Sequence, residues 1–202
     1  MKIGGFEKQS FIDWEGRMAA VIFTKGCNFR CGYCHNPELV YPELMQQNND
    51  ISEDDVFDFL LSRQNWLDGV VITGGEPTLQ RDLQDFIKRI KKIGYAIKLD
   101  TNGSNPMVLK TLIENKLIDY VAMDIKTCLE LKKYQEICAI EDPFLLSKIK
   151  ASIEILRKSG IDYQLRTTVV PQFHTKEIVD NLQKYFSYCN YKIQEFREIK
   201  SV

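Results

Sequence analysis

The stretch Gly69-Val70-Val71-Ile72-Thr73-Gly74-Gly75-Glu76-Pro77, followed by Asp82 to Ile93, Gly94 and Tyr95-Ala96-Ile97-Lys98-Leu99-Asp100, decides the fold. An apolar run over 69–73 reads as a buried strand, and so does 95–99. Between them Leu83, Phe86, Ile87 and Ile90 recur at three- and four-residue spacing with charged residues interspersed, the pattern of a helix with one apolar stripe. Gly94 stands where that helix must stop. Strand, helix, strand in this order predicts two parallel strands joined by a right-handed crossover.

The same alternation extends in both directions. Runs rich in Val, Ile, Phe and Tyr near 18–24, 119–124, 162–169 and 191–196 complete a set of six expected strands. Further helices are expected behind Ser52, Asn105 and Thr175, with Ser52 and Asp55 resembling a capping box, Pro106 suiting a first turn and Gly160 ending another helix. Residues 46–50 read as a surface loop. Six units are too few to close an eight-stranded barrel, so the expected architecture is α/β, an incomplete (βα)6 TIM-like barrel with an open parallel sheet, forming a single domain over 1–202. In such folds the functional groups sit on loops leaving the carboxyl ends of strands.

A chain of 202 residues with 44% hydrophobic residues can bury a sizeable core without disulfides. Its 27 basic and 28 acidic residues leave no net field to draw it onto nucleic acid or an anionic membrane. The N-terminus has no signal-peptide pattern and no apolar run is long enough to span a bilayer, which predicts a cytosolic protein. In that reducing compartment six cysteines read as metal ligands or buried thiols.

Three of them, Cys27, Cys31 and Cys34, crowd into the loop after the first expected strand. A structural zinc site prefers four protein ligands, and His35 offers a fourth; a 4Fe-4S cluster held by three cysteines leaves one iron open for a substrate. The count favours the cluster, with a zinc-dependent binding module as the non-enzymatic alternative. Cys128, Cys138 and Cys189 lack ligand spacing and read as buried structural thiols, so one cluster is expected.

The C-x3-C-x2-C spacing, with Tyr33 before the third cysteine, resembles the signature of radical S-adenosylmethionine enzymes. The resemblance implies that S-adenosylmethionine chelates the open iron, that Tyr33 lies beside its adenine, and that its reductive cleavage yields a 5'-deoxyadenosyl radical. Gly74-Gly75-Glu76-Pro77, by itself either a turn or a site, resembles the family's GGEP element, whose Gly74, Gly75 and Glu76 would contact the methionyl ammonium.

Asp100-Thr101-Asn102-Gly103 and Met123-Asp124-Ile125-Lys126 at two strand ends are either solvated loop residues or a zwitterion site, in which Asp100 takes a ribose and Lys126 a carboxylate. They resemble segments of glycyl-radical-enzyme activating enzymes. By that likeness Asp100, Thr101, Met123 (through its carbonyl) and Asp124 would bind a monovalent cation, and Asp124 and Lys126 would also serve S-adenosylmethionine. His174 is either a further cofactor-binding residue or a surface histidine, and Arg166 either reaches the cleft or pairs with a neighbouring carboxylate.

The segments 4–16, 20–24 and 34–38 most resemble activating proteins of the anaerobic ribonucleoside-triphosphate reductase. The implied partners are that glycyl radical enzyme and a flavodoxin or ferredoxin as electron donor. A small-molecule enzyme of the same superfamily, such as a deazapurine synthase, is the alternative within this chemistry.

Overall fold

The computed structural model describes residues 1–196 as a seven-stranded sheet backed by helices. The strands are β1 (Ile3–Ser10), β2 (Ala19–Thr24), β3 (Gly69–Gly74), β4 (Ala96–Thr101), β5 (Tyr120–Asp124), β6 (Asp162–Val169) and β7 (Tyr191–Glu195). The helices are α1 (Pro42–Met45), α2 (Glu53–Ser62), α3 (Leu83–Ile93), α4 (Pro106–Glu114), α5 (Leu131–Cys138), α6 (Leu145–Ser159) and α7 (Lys176–Tyr185). The sheet order follows the chain, β1 to β7, and β2 to β7 pair in parallel. β1 and β7 are its two edges, so the sheet is open rather than a closed barrel.

All six expected strands form, and a seventh, β1, is added antiparallel to β2. Its sequence, with two glycines and Glu7-Lys8, gives little strand signal because an edge strand needs only one partner and here buries little. Ser52 caps α2, but its hydroxyl accepts from Asp54 N–H rather than Asp55 N–H, so the capping box does not form as expected. Gly94 and Gly160 end α3 and α6 in left-handed conformations, as expected of helix-terminating glycines. No described helix is long and apolar enough to cross a membrane.

Because successive strand residues face opposite ways, each strand feeds two environments. Ile22, Ile72, Ile97, Leu99, Val121 and Leu165 turn outward into the main core beneath the helices. Val21 and Val71 turn inward and pack with Trp14, which stands at the amino ends of the strands and plugs the concave face. Its ring lies 6.0 Å from Tyr120, and Arg17 stacks 4.6 Å above it. Gly69 permits this approach, since a Cβ there would lie 2.7 Å from the indole and 2.8 Å from the Ala96 carbonyl oxygen. Trp14→Ala should therefore cost about 3 kcal/mol in urea unfolding, the usual cost of truncating a buried tryptophan, with the m-value unchanged.

Candidate active site

The cysteine loop is fixed at its base before its thiols are placed. Lys25 is buried; its ammonium pairs with Asp50 at 2.6 Å and bonds the carbonyls of Met45 and Asn48, so the 46–50 loop acts as a clamp. Gly26, at φ +93°, donates to Leu39 O at 2.7 Å. The glycine turn then locks onto the loop: Gly75 N–H donates to Thr24 O at 2.9 Å and Glu76 N–H to Gly26 O at 2.8 Å. Gly74 adopts φ +108°, a region disfavoured for residues with a Cβ.

Cys27, Cys31 and Cys34 follow on this anchored loop. Among the described residues no trio of His, Cys, Asp and Glu converges closely enough to hold one metal ion. Cys27 Sγ accepts from Phe29 N–H at 3.3 Å and lies 4.0 Å from the Asn102 amide. Burial pushes the Cys27 thiol up to about 11, so metal ligation there must displace a proton. Cys31 goes the other way, to about 7, because the Cys138 thiol hydrogen-bonds to it, with Lys126 adding to the shift against burial. The same contact, together with burial, pushes the Cys138 thiol the opposite way, well above its ordinary value. Arg30 N–H donates to Cys138 O at 2.7 Å, tying the loop to the end of α5. Cys138 is the buried thiol expected, but it touches a candidate ligand; Cys128 and Cys189 are only half-buried.

Glu76 is wholly buried and turns away from the cleft. Its carboxylate accepts from Thr78 N–H (3.1 Å), Thr78 Oγ1 (2.5 Å), Thr101 Oγ1 (2.7 Å) and Asn102 N–H (2.7 Å). The side chain predicted to meet an ammonium thus braces the end of β3 against the end of β4. Asn102 continues the brace to the cysteine loop through Asn28 at 2.9 Å, and Asn28 reaches Ser104 at 2.9 Å.

Across the carboxyl ends of β4, β5 and β6 runs a row of alternating charges. Lys98 Nζ stands 3.1 Å from Asp100 Oδ1, out of line for a hydrogen bond. Arg166 reaches Asp100 Oδ2 at 3.0 Å through one terminal nitrogen and Asp124 Oδ1 at 2.6 Å through Nε. Lys126 Nζ meets Asp124 Oδ2 at 2.8 Å. Three cations face two carboxylates, so the row carries one unmatched positive charge. Both readings of Arg166 hold: it pairs with carboxylates, and it lines the same cleft as Cys27, Cys31, Gly74 and Gly75.

His174 is buried, which removes the surface reading. Its Nδ1 accepts from Val170 N–H at 3.0 Å, and Nε2, which must then carry the proton, donates to Lys126 O at 2.8 Å. Both ring nitrogens are committed to the backbone, so the ring orients the Lys126 segment. Tyr33 packs 5.9 Å from Phe173 and 6.2 Å from Phe196, on which His35 stacks at 5.1 Å.

Burial alone would raise the Asp124 carboxyl, but Arg166 and Lys126 outweigh it and hold its pKa well below the usual range. A carboxyl depressed by folding stabilises above its unfolded pKa of about 4 and loses that contribution as pH falls. The melting-temperature difference between wild type and Asp124→Asn should therefore be largest near neutrality and shrink below about pH 4.

The sequence profile described as Radical SAM superfamily matches residues 21–185. A Methanocaldococcus jannaschii protein named as a glycyl-radical enzyme activating enzyme is 37% identical, over 96% of this chain and 79% of its own length. A 7-carboxy-7-deazaguanine synthase of Neisseria meningitidis is 34% identical over 66% of this chain, which spans only 55% of that enzyme. Among solved structures, SuiB of Streptococcus suis bound to S-adenosylmethionine superposes with a TM-score of 0.63 at 18% identity, over 89% of this chain and 42% of that one, a likeness of fold. With a profile match over most of its length, and with its thiols, glycine turn and charge row gathered at one end of an open parallel sheet, this chain belongs to the radical S-adenosylmethionine superfamily.

Proposed function

We propose that this chain activates a glycyl radical enzyme, the anaerobic ribonucleoside-triphosphate reductase, by abstracting hydrogen from a backbone glycine of that partner. The observation that carries the reading is the opening of Cys27 and Cys31 onto the same cleft as Asp100, Asp124, Lys126 and Arg166. Cys27, Cys31 and Cys34 would hold a 4Fe-4S cluster, with burial and the Asn102 and Cys138 contacts setting its surroundings. Bound there, cluster and S-adenosylmethionine supply the reductive cleavage and the hydrogen-abstracting radical.

The protein's part is placement and charge. The unmatched positive charge of the row suits a carboxylate, and Lys126, carried on a segment that His174 orients, pairs with Asp124 alone and lines the cleft. The Gly74-Gly75 backbone offers polar groups at close range to an ammonium, while Glu76 keeps that backbone in place from behind. Tyr33, in its aromatic group with Phe173 and Phe196, provides a flat surface for an adenine. Among the described residues β1 and β7 do not pair with each other, and a sheet left open on that side suits the approach of a loop of a protein substrate. The electron would come from an external flavodoxin or ferredoxin.

The 34% identity to a deazaguanine synthase supports a second reading, a small-molecule substrate. The two separate in one experiment. The protein, purified without oxygen and reconstituted with iron and sulfide, is reduced with S-adenosylmethionine in the presence of the reductase. A glycyl radical in the reductase's electron paramagnetic resonance spectrum, with 5'-deoxyadenosine formed, supports the activase. Cleavage with no protein radical, but formation of a deazapurine from a small heterocyclic substrate, supports the synthase. Stoichiometric zinc, no cluster signal and no cleavage would overturn both.

A further inference from the structure

Three of the four residues expected to hold a monovalent cation, Asp100, Thr101 and Asp124, do not fit that role. Asp100 and Asp124 do come together at adjacent strand ends, but each carboxylate already lies between two side-chain cations: Lys98 and Arg166 for Asp100, whose Oδ1 faces the Lys98 ammonium at 3.1 Å without a hydrogen bond, and Arg166 and Lys126 for Asp124. Thr101 Oγ1 is held by the brace instead, donating to Glu76 and accepting from Gly103 N–H. An alkali ion between the two carboxylates would have to displace a guanidinium or sit beside it, adding charge to a row that already has one cation in excess. Inside a protein, where like charges are poorly screened, that addition is disfavoured.

We infer that the Arg166 guanidinium is the resident cation of this site, bridging Asp100 and Asp124 and making the protein independent of sodium or potassium. The geometry suits the role: Nε and a terminal nitrogen reach two different carboxylates at 2.6 and 3.0 Å, and both contacts are directed. A planar, permanently charged fork holds the two strand ends at a fixed separation, which a spherical ion does with less directionality. Arg166 stands directly opposite Asp124 in the register of β6 on β5, so the sheet itself delivers the charge. It is thereby a positioning residue: it sets where Asp100 and Asp124 stand and leaves Lys126 as the cation available to an incoming anion.

Two measurements test this, and only the second rests on the proposed function. In the first, wild type, Arg166→Ala and Arg166→Lys are melted without cofactors in potassium chloride, sodium chloride and tetramethylammonium chloride at equal ionic strength. Wild type and Arg166→Lys should melt alike in all three. Arg166→Ala should melt lower and recover in the alkali salts but not in tetramethylammonium, because its two carboxylates now want a small cation. Salt-specific melting of wild type, or no recovery of Arg166→Ala in potassium or sodium, overturns the inference. If Arg166→Ala does not fold, the salt comparison on wild type and Arg166→Lys decides.

In the second, S-adenosylmethionine affinity is measured by calorimetry on reconstituted protein in the same salts. Wild-type affinity should be unchanged between potassium and tetramethylammonium, and that of Arg166→Ala should fall at least about tenfold in tetramethylammonium and be partly restored by potassium. A wild type that binds only with an alkali ion present overturns the inference. A wild type that binds S-adenosylmethionine in no salt overturns the proposed function instead, and leaves the melting result standing.

Discussion

Cys31→Ala, reconstituted with iron and sulfide, should retain no stable cluster and should release 5'-deoxyadenosine only at the level of a blank without enzyme. A three-cysteine site has no ligand to spare, and the thiol removed is one whose neighbours already favour the thiolate: Cys138 hydrogen-bonds to it and Lys126 lies near. Cys138→Ala is the informative companion. It removes a still more deeply buried sulfur from the same spot while leaving the three ligands, so it should still take up iron, with the reduced-cluster signal altered by loss of a hydrogen bond to a ligand sulfur. Iron content and low-temperature spectra read both. If Cys31→Ala keeps its iron and the double variant loses it, Cys138 has replaced Cys31 as a ligand and the assignment of three fixed ligands is wrong.

Gly75→Ala should be among the most damaging single changes, destabilising the protein by about 3 kcal/mol or more and preventing cluster assembly even though no thiol is touched. A Cβ at residue 75 would fall 2.1 Å from the Gly26 carbonyl oxygen and 2.7 Å from its carbon, and both are backbone atoms with no rotamer to change. Relief requires the turn and the start of the cysteine loop to separate, which breaks the Glu76 N–H to Gly26 O bond at 2.8 Å. Gly74→Ala adds a second fault, since φ is +108° and the new Cβ would lie 2.3 Å from Thr24 N. Gly32→Ala is the control: nothing lies within 4 Å of a Cβ there, and its stability should change by less than about 0.5 kcal/mol. Urea unfolding of the three proteins, paired with iron uptake, checks the argument; equal stability of Gly75→Ala and Gly32→Ala would show that the two loops are not locked together.

These expectations show unequally how sequence and structure contribute. The parallel sheet was legible because central strands buried on both faces need unbroken apolar runs, as at 69–73, and because α3 needs its stripe at 83, 86, 87 and 90. β1 was not, because an edge strand carrying Glu7 and Lys8 meets neither demand. The three cysteines were legible because their spacing is local and their chemistry narrow. Glu76, His174 and Cys138 were legible as residues of interest but not in their roles. Sequence does not show that Glu76 braces two strand ends, that His174 is buried and holds the Lys126 backbone, or that Cys138, which has no ligand spacing, meets Cys31 in space.

By itself, then, the sequence determined the class of fold, the end of the sheet that bears the site, and the cysteine loop with its glycine turn, because each depends on residues within one strand, one helix or one loop. Only the tertiary structure decided which charges meet. Lys98, Asp100, Asp124 and Arg166 are drawn from three strands, with Lys126 two residues past the end of β5, and parallel pairing in fixed register, with successive side chains alternating between faces, brings the strand residues together. Partners separated by 42 and 66 positions in the chain, as Arg166 is from Asp124 and Asp100, follow from the sheet's register and not from any local pattern.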